Sequence, residues 1–160
     1  MKVAIFFGSA SDRDVMSPAA EVLREFGVEF RARVVSAHRA PALLAEEVAL
    51  AEAAGAEVII AGAGLAAHLP GVIASLTALP VIGVPLEGKP AGLGGMDALF
   101  SIVQMPRQIP VAAVGINNAA NAAYLAVEIL ALSDNHLKEK LRFFRARLGA
   151  DAQENREVTL

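Results

Sequence analysis

Apolar residues gather in five short runs, at 3–7, 28–35, 58–61, 80–84 and 110–114. Four of them lack polar alternation, which predicts strands covered on both faces of a parallel sheet. The second alternates, with Val28, Phe30, Ala32 and Val34 against Glu29, Arg31 and Arg33. That pattern predicts an edge strand with one wetter face. Helical periodicity fills the intervals. Val15, Ala19, Val22, Leu23 and Phe26 share a face, and Gly27 offers a left-handed stop. Pro18 leaves two starts open for this helix: a cap at Ser17 with the proline in the first turn, or an origin at Asp12 with a distortion at the proline. Pro41 opens a second helix that Gly55 closes. A third covers about 70–78, and a fourth about 97–105 with Asp97 as its cap. Residues 117–132 read as a helix apolar nearly all round, which predicts that it is enclosed, with other subunits as one possible cover. Leu137, Leu141, Phe144 and Leu148 stripe a last, charged helix. Between them, the Gly- and Pro-rich segment 86–96 predicts a mobile loop.

Alternation of strand and helix predicts a three-layer α/β sandwich around a parallel sheet. Right-handed crossovers make the sheet doubly wound, and an edge second strand gives the flavodoxin-like order 2-1-3-4-5. The last helices form a C-terminal extension. No internal repeat or linker divides the chain, so the expected organisation is one α/β domain over 1–150 and a loose polar tail over 151–160. In such folds ligands bind beyond the carboxyl ends of the strands.

The composition narrows the function classes. Of 160 residues, 55% are hydrophobic, and mean hydropathy is +0.49. No apolar run approaches the roughly 20 residues of a membrane span. The opening MKVAIFFGS makes a poor signal peptide and a good first strand. A small domain buries only part of its surface, so the apolar excess points to subunit interfaces. The absence of cysteine removes disulfides, thiolate ligands and thiol nucleophiles, and permits a cytoplasmic setting. A net charge of −3, no basic block, one tyrosine and no tryptophan argue against a general nucleic-acid surface.

Three polar segments follow strand ends. In GSASD, Gly8 lets the backbone approach a ligand, and Ser9, Ser11 and nearby N–H groups can hold phosphate oxygens at a helix start. Asp12 can cap that helix or accept from ribose hydroxyls; the competing reading is a capped turn and nothing more. In VVSAHRAP, Ser36 precedes His38, a group able to exchange a proton near neutrality, and Arg39, a clamp for phosphate or carboxylate. A solvated surface pair is the competing reading. In AGAGLAAHLPG, small residues can close on a small ligand, but no lysine stands at a P-loop spacing and Gly62 and Gly64 match a dinucleotide fingerprint only weakly. His68 in that segment is by itself more often a packing or capping residue. His136 reads as a solvated surface residue, and Gln104 as a hydrogen-bonding group within the fold. Two histidines on separate loops fall short of a metal site, and no G-x-S-x-G elbow is present.

Taken in order, GSASD, SAHRAP, AGAGLAAHLPG, LPVIGVP, SIVQMPRQIPV and NAAYLAVEIL resemble the PurE-type 5-(carboxyamino)imidazole ribonucleotide mutases, over roughly 3–148. AHR and the histidine of AAHLPG follow the mutase pattern; the related carboxylases that use carbon dioxide directly typically carry AHK and AGRSN. The chain departs at Ala40, where threonine is usual, and at Leu65 and Gln108, where glycine is usual. The resemblance implies a mutase of de novo purine biosynthesis that moves a carboxylate from an exocyclic nitrogen to a ring carbon, giving 5-amino-1-(5-phospho-ribosyl)imidazole-4-carboxylate. It implies no metal, ATP or organic cofactor, and a cytoplasmic homo-octamer acting on a small ribonucleotide. His38 and His68 would be catalytic. Gly8, Ser9, Ser11, Asp12, Ser36, Arg39, Gly62, Ala63, Gly64 and Leu69 would bind the substrate. The alternatives are a carboxylase that adds free carbon dioxide to aminoimidazole ribonucleotide, a non-catalytic flavodoxin-like module holding a mononucleotide, and a purely structural oligomer.

Overall fold

A computed structural model describes residues 1–88, 93–154 and 156. The strands are β1 (Val3–Phe7), β2 (Phe30–Val34), β3 (Val58–Gly64), β4 (Val81–Leu86) and β5 (Ala112–Ala113). The helices are α1 (Arg13–Phe26), α2 (Pro41–Ala53), α3 (Leu69–Leu76), α4 (Met96–Val103), α5 (Ala119–Leu130) and α6 (Asn135–Glu154). All paired strands are parallel, and the order is β2-β1-β3-β4-β5, as the apolar runs predict.

Strand alternation divides the core in two. Val3, Ile5 and Phe7 pack with α1, α5 and α6 on one face of the sheet. Ala4 and Phe6 pack with α2, α3 and α4 on the other. Ile59, Ile60 and Ile82 are fully buried, each worth about 1.5–3 kcal/mol of burial.

Pro18 lies inside α1, so the second of the two starts is the one adopted. A proline at this position cannot donate to the Asp14 carbonyl four residues back. The Ser17 hydroxyl donates to that carbonyl instead, at 3.0 Å. Gly27 ends the helix at φ 71°, with its N–H on the Arg24 carbonyl and that of Val28 on Leu23.

Several expectations need correction. β2 is an edge strand, but beyond half-buried Phe30 both of its faces are exposed, Val34 to 44%. Asp97 does not cap α4; it lies in the first turn, and Gly95 at φ 82° holds the cap position. Helix α5 is enclosed largely by its own chain, through α1, the sheet and α6. There Tyr124 and Phe144 stack at 5.2 Å, and Phe26 meets both edge-on. Helix α6 runs on to Glu154, so the first four residues of the expected tail are helical. In the 86–96 segment, Leu86 still belongs to β4 and Met96 already to α4, while 89–92 lie outside the described residues.

Candidate functional site

Phe7 pairs with Val34 on one side and Gly62 on the other, so β1, β2 and β3 stay in register up to the turns that follow them. Those turns meet around a cleft of about 250 Å³. Gly8, Ser9, Ser11 and Asp12 line it from the first, Ser36, Ala37, His38 and Arg39 from the second, and Ala63, Gly64, Leu65, Ala66, His68 and Leu69 from the third. Gly88, just past β4, completes the wall.

The first turn is held by its own side chains. Ser9 Oγ accepts from the Ser11 N–H at 3.3 Å and from the Ser11 hydroxyl at 2.8 Å. Asp12 Oδ2 accepts from the Ser9 N–H at 3.1 Å, which closes a reciprocal cap. Burial pushes the Asp12 carboxyl above its ordinary value, opposed by the Ser9 N–H and the Ser11 hydroxyl. A side chain at Gly8 would meet nothing within 4 Å, so the backbone there borders open space.

The second turn reaches across to the first. The Arg39 guanidinium donates to the Gly8 carbonyl at 3.3 Å, and the Arg39 N–H donates to Ser36 Oγ at 3.3 Å. Among the described residues no carboxylate pairs with Arg39. Its remaining donors, beside two serine hydroxyls and the Gly8 backbone, suit a phosphate or carboxylate.

The third turn brings the second histidine. His68 occupies the cap position of α3 yet makes no side-chain cap bond. Its Nδ1 lies 2.7 Å from Nε2 of His38, with the rings at 81° and their centroids 4.9 Å apart. One nitrogen donates and the other accepts, so the pair shares a proton. Both imidazoles are exposed at the cleft. Two titratable rings sharing one proton can hand it to a bound molecule and take one back.

Of the twelve residues singled out from sequence, eleven line the cleft. Gly62 does not. It lies within β3 with its Cα toward α1, where an added Cβ would stand 2.4 Å from Met16 Sδ. Its smallness makes room for the core. Ala37, Leu65, Ala66 and Gly88 also line the cleft; Leu65 and Ala66 lay within a segment already read as a pocket, whereas Gly88 lay hidden in a Gly- and Pro-rich stretch. His136 stands apart at the start of α6, where Asp134 accepts from its N–H at 3.0 Å. Gln104 ends α4. Among the described residues no group of three His, Asp or Glu is placed to hold a metal ion, and no helix is long and apolar enough to cross a membrane.

A doubly wound sheet with polar turns converging at its strand ends is an architecture of nucleotide-handling α/β proteins. The chain belongs to the AIR carboxylase family, which it matches over residues 2–151. It is 57% identical to the N5-carboxyaminoimidazole ribonucleotide mutase of Pyrococcus abyssi over 90% of this chain and 82% of that protein. It is 50% identical to the mutase of the same name from Saccharolobus solfataricus over 97% of each. The crystal structure of Treponema denticola PurE shares the fold at a TM-score of 0.81 and 26% identity, covering 97% of this chain and 98% of that one.

Proposed function

We propose that this chain is an N5-carboxyaminoimidazole ribonucleotide mutase of purine biosynthesis, an isomerase that moves a carboxylate within its substrate. The observation that carries the reading is the His38–His68 contact at 2.7 Å, set in one cleft with Ser9, Ser11 and Arg39. An anion corner and a proton-exchanging corner are what a phosphorylated substrate with a migrating carboxylate requires.

The assignment of roles follows the chemistry. Ser9, Ser11, Arg39 and the Gly8 backbone hold the phosphate, and Asp12 holds the ribose. His38 protonates the exocyclic nitrogen as its bond to the carboxylate carbon breaks, which releases carbon dioxide inside the cleft. The electron-rich ring carbon then bonds to that carbon dioxide. His38 takes the proton which the ring carbon gives up, and the cycle closes with no net proton change. His68 orients the carboxylate or relays the proton. Ala63, Gly64 and Leu69 supply a small wall of low polarity, in which a carbamate loses carbon dioxide more readily than in water. Ser36 fixes the turn that carries His38 and Arg39.

Incubation with 5-(carboxyamino)imidazole ribonucleotide, without ATP or added metal, is expected to give the carbon-carboxylated product well above the uncatalysed background. Product formed only from aminoimidazole ribonucleotide and carbon dioxide would install the carboxylase instead. Tight mononucleotide binding without turnover would leave a binding module.

The assembly is a homo-octamer in the cytoplasm. Support comes from apolar side chains left open on the single chain, including Met96, Phe100 and Val103 along one side of α4. Light scattering is expected to give eight times the 16.6 kDa of the chain; a monomer at micromolar concentration would refute it.

A further inference from the structure

Asn117 and Asn118 are adjacent in the turn between β5 and α5, and their carboxamides go to different places. Asn118 caps α5, its side chain accepting from the Asn121 N–H at 3.1 Å. Asn117 instead reaches the chain leaving β4. Its Oδ1 accepts from the Glu87 N–H at 2.9 Å, and its own N–H donates to the Pro85 carbonyl at 2.9 Å. It does so at a φ of 57°, a conformation that asparagine tolerates better than most residues with a side chain. These two bonds take over where the sheet stops, because β5 pairs with β4 only at Ile82 and Gly83. Glu87 precedes Gly88, the residue from this strand end that lines the cleft. On its inner side Gly88 has little room. A Cβ on it would stand 2.6 Å from Leu65 Cδ2, and its Cα lies 3.3 Å from where a Cβ on Gly64 would be. Gly88 is thus fixed between the turn after β3 on one side and a single carboxamide on the other.

We propose that Asn117 is a positioning residue for the chemical step: through the Glu87 N–H it sets where Gly88 stands, and so the width of the cleft beside the turn after β3. The inference rests on the mutase reading. The sheet order decides which part of the substrate feels this. The strands lie in the order β2, β1, β3, β4. Gly88 therefore borders the turn that carries His68, while Ser9, Ser11 and Arg39 stand on the turns after β1 and β2. A shift of Gly88 alters the wall at the reacting end and leaves the phosphate corner as it was. Rates depend steeply on such placement, and a misplacement of about 1 Å can cost about a hundredfold. Asn117 itself does not line the cleft; it acts through the backbone of Glu87 and Gly88.

The test combines steady-state kinetics on 5-(carboxyamino)imidazole ribonucleotide with thermal unfolding of three variants. Asn117→Gly adopts the positive φ freely and removes only the carboxamide. It is expected to lower kcat roughly tenfold with KM near wild type. Asn117→Asp keeps an oxygen acceptor and tolerates the positive φ, and it should restore kcat to near the wild-type value. Asn118→Ala removes the cap of α5 and should lower Tm while leaving kcat unchanged. A wild-type kcat in Asn117→Gly overturns the proposal, as does failure of Asn117→Asp to recover activity. An equal loss of kcat in Asn118→Ala also overturns it, because the cause would then be a general loosening of the turn. So does a rise in KM at unchanged kcat, which would place the effect at the phosphate corner. Absence of any carbon-carboxylated product from the wild-type chain overturns the mutase reading itself, and the proposal with it; the other outcomes all compare variants with an active wild type.

Discussion

In the turn after β1, Ser9, Ser11 and Asp12 hold one another through four hydrogen bonds, and the chain's shape there is written in polar side chains. In the turn after β3, residues 65–67 are a leucine and two alanines, and no side chain caps the helix that follows. Its shape comes from close approach of backbones and from one residue at positive φ. The two turns border the same cleft and differ in what they present to it. The polar turn presents hydroxyls and N–H groups already aimed, which suits a charged group that stays put through the reaction. The small-residue turn presents little but shape, which suits a fragment that must leave one atom and join another. The histidine pair joins these regions, since His38 stands beside Arg39 and His68 belongs to the third turn.

The most severe way to break this division is at the histidine pair. His38→Asn keeps a hydrogen-bonding group of similar size and removes the exchangeable proton. It is expected to lower kcat/KM by about a hundredfold to ten-thousandfold, the usual contribution of a positioned acid–base group. The circular dichroism spectrum should stay unchanged, because the exposed imidazole contributes nothing to the core. Turnover near wild type would remove His38 from the proton path.

Ser9→Ala tests the polar turn. Ser9 Oγ is the hub that accepts from both the N–H and the hydroxyl of Ser11. Its loss is expected to cost about 1 kcal/mol of stability, as for a lost helix cap. Substrate binding should weaken with it, so that KM rises more than kcat falls. A large fall in kcat at unchanged KM would mean that this turn takes part in the chemical step, and the contrast with the third turn would collapse.

How far the sequence could be read follows the same line. Strand positions and order were legible because apolar runs without alternation mean burial on both faces, and the alternation of 28–35 marked the edge strand. That the three polar segments meet at one cleft was legible because parallel strands of a doubly wound sheet end on the same side. Gly62 was misplaced for a reason of parity. The motif AGAGLAAHLPG reads as one continuous loop, but β3 extends to Gly64, so alternate residues face opposite layers. Ala61 and Ala63 fall on the α2–α3 side and Gly62 on the α1 side, against Met16. The cover of α5 was illegible because periodicity says that a face is buried, never whose atoms bury it. The three departures from the family pattern carry the most information of all. Leu65 and Gln108, where glycine is usual, have φ of 56° and 79°, and Ala40, where threonine is usual, is the cap residue of α2.

Ala40 extends the contrast to the second turn. It sits at the cap position with φ −143° and no side-chain bond to the helix. Ala40→Thr supplies a hydroxyl for an unpaired N–H of the first turn of α2, at an extended φ that a β-branched residue accepts. A gain of about 1 kcal/mol is expected, read as a rise in Tm, with kcat unaffected. An unchanged Tm would show that α2 starts equally well on Pro41 alone.

Gln108→Gly sharpens the backbone half of the comparison and has the smallest expected effect. The Ile109 N–H reaches the Pro106 carbonyl at 3.4 Å, which makes Gln108 the third residue of a tight turn. A positive φ at that position is the geometry of a type II turn, where glycine is preferred. A residue with a side chain costs about 1–2 kcal/mol there. Glycine removes that cost but loses about 0.5–1 kcal/mol more conformational freedom on folding. The first exceeds the second, so denaturant unfolding should show a gain of about 0.5–1 kcal/mol. Gln108 does not line the cleft, so kcat/KM should not move. The residue is exposed, so the variant changes mainly the backbone's own preference.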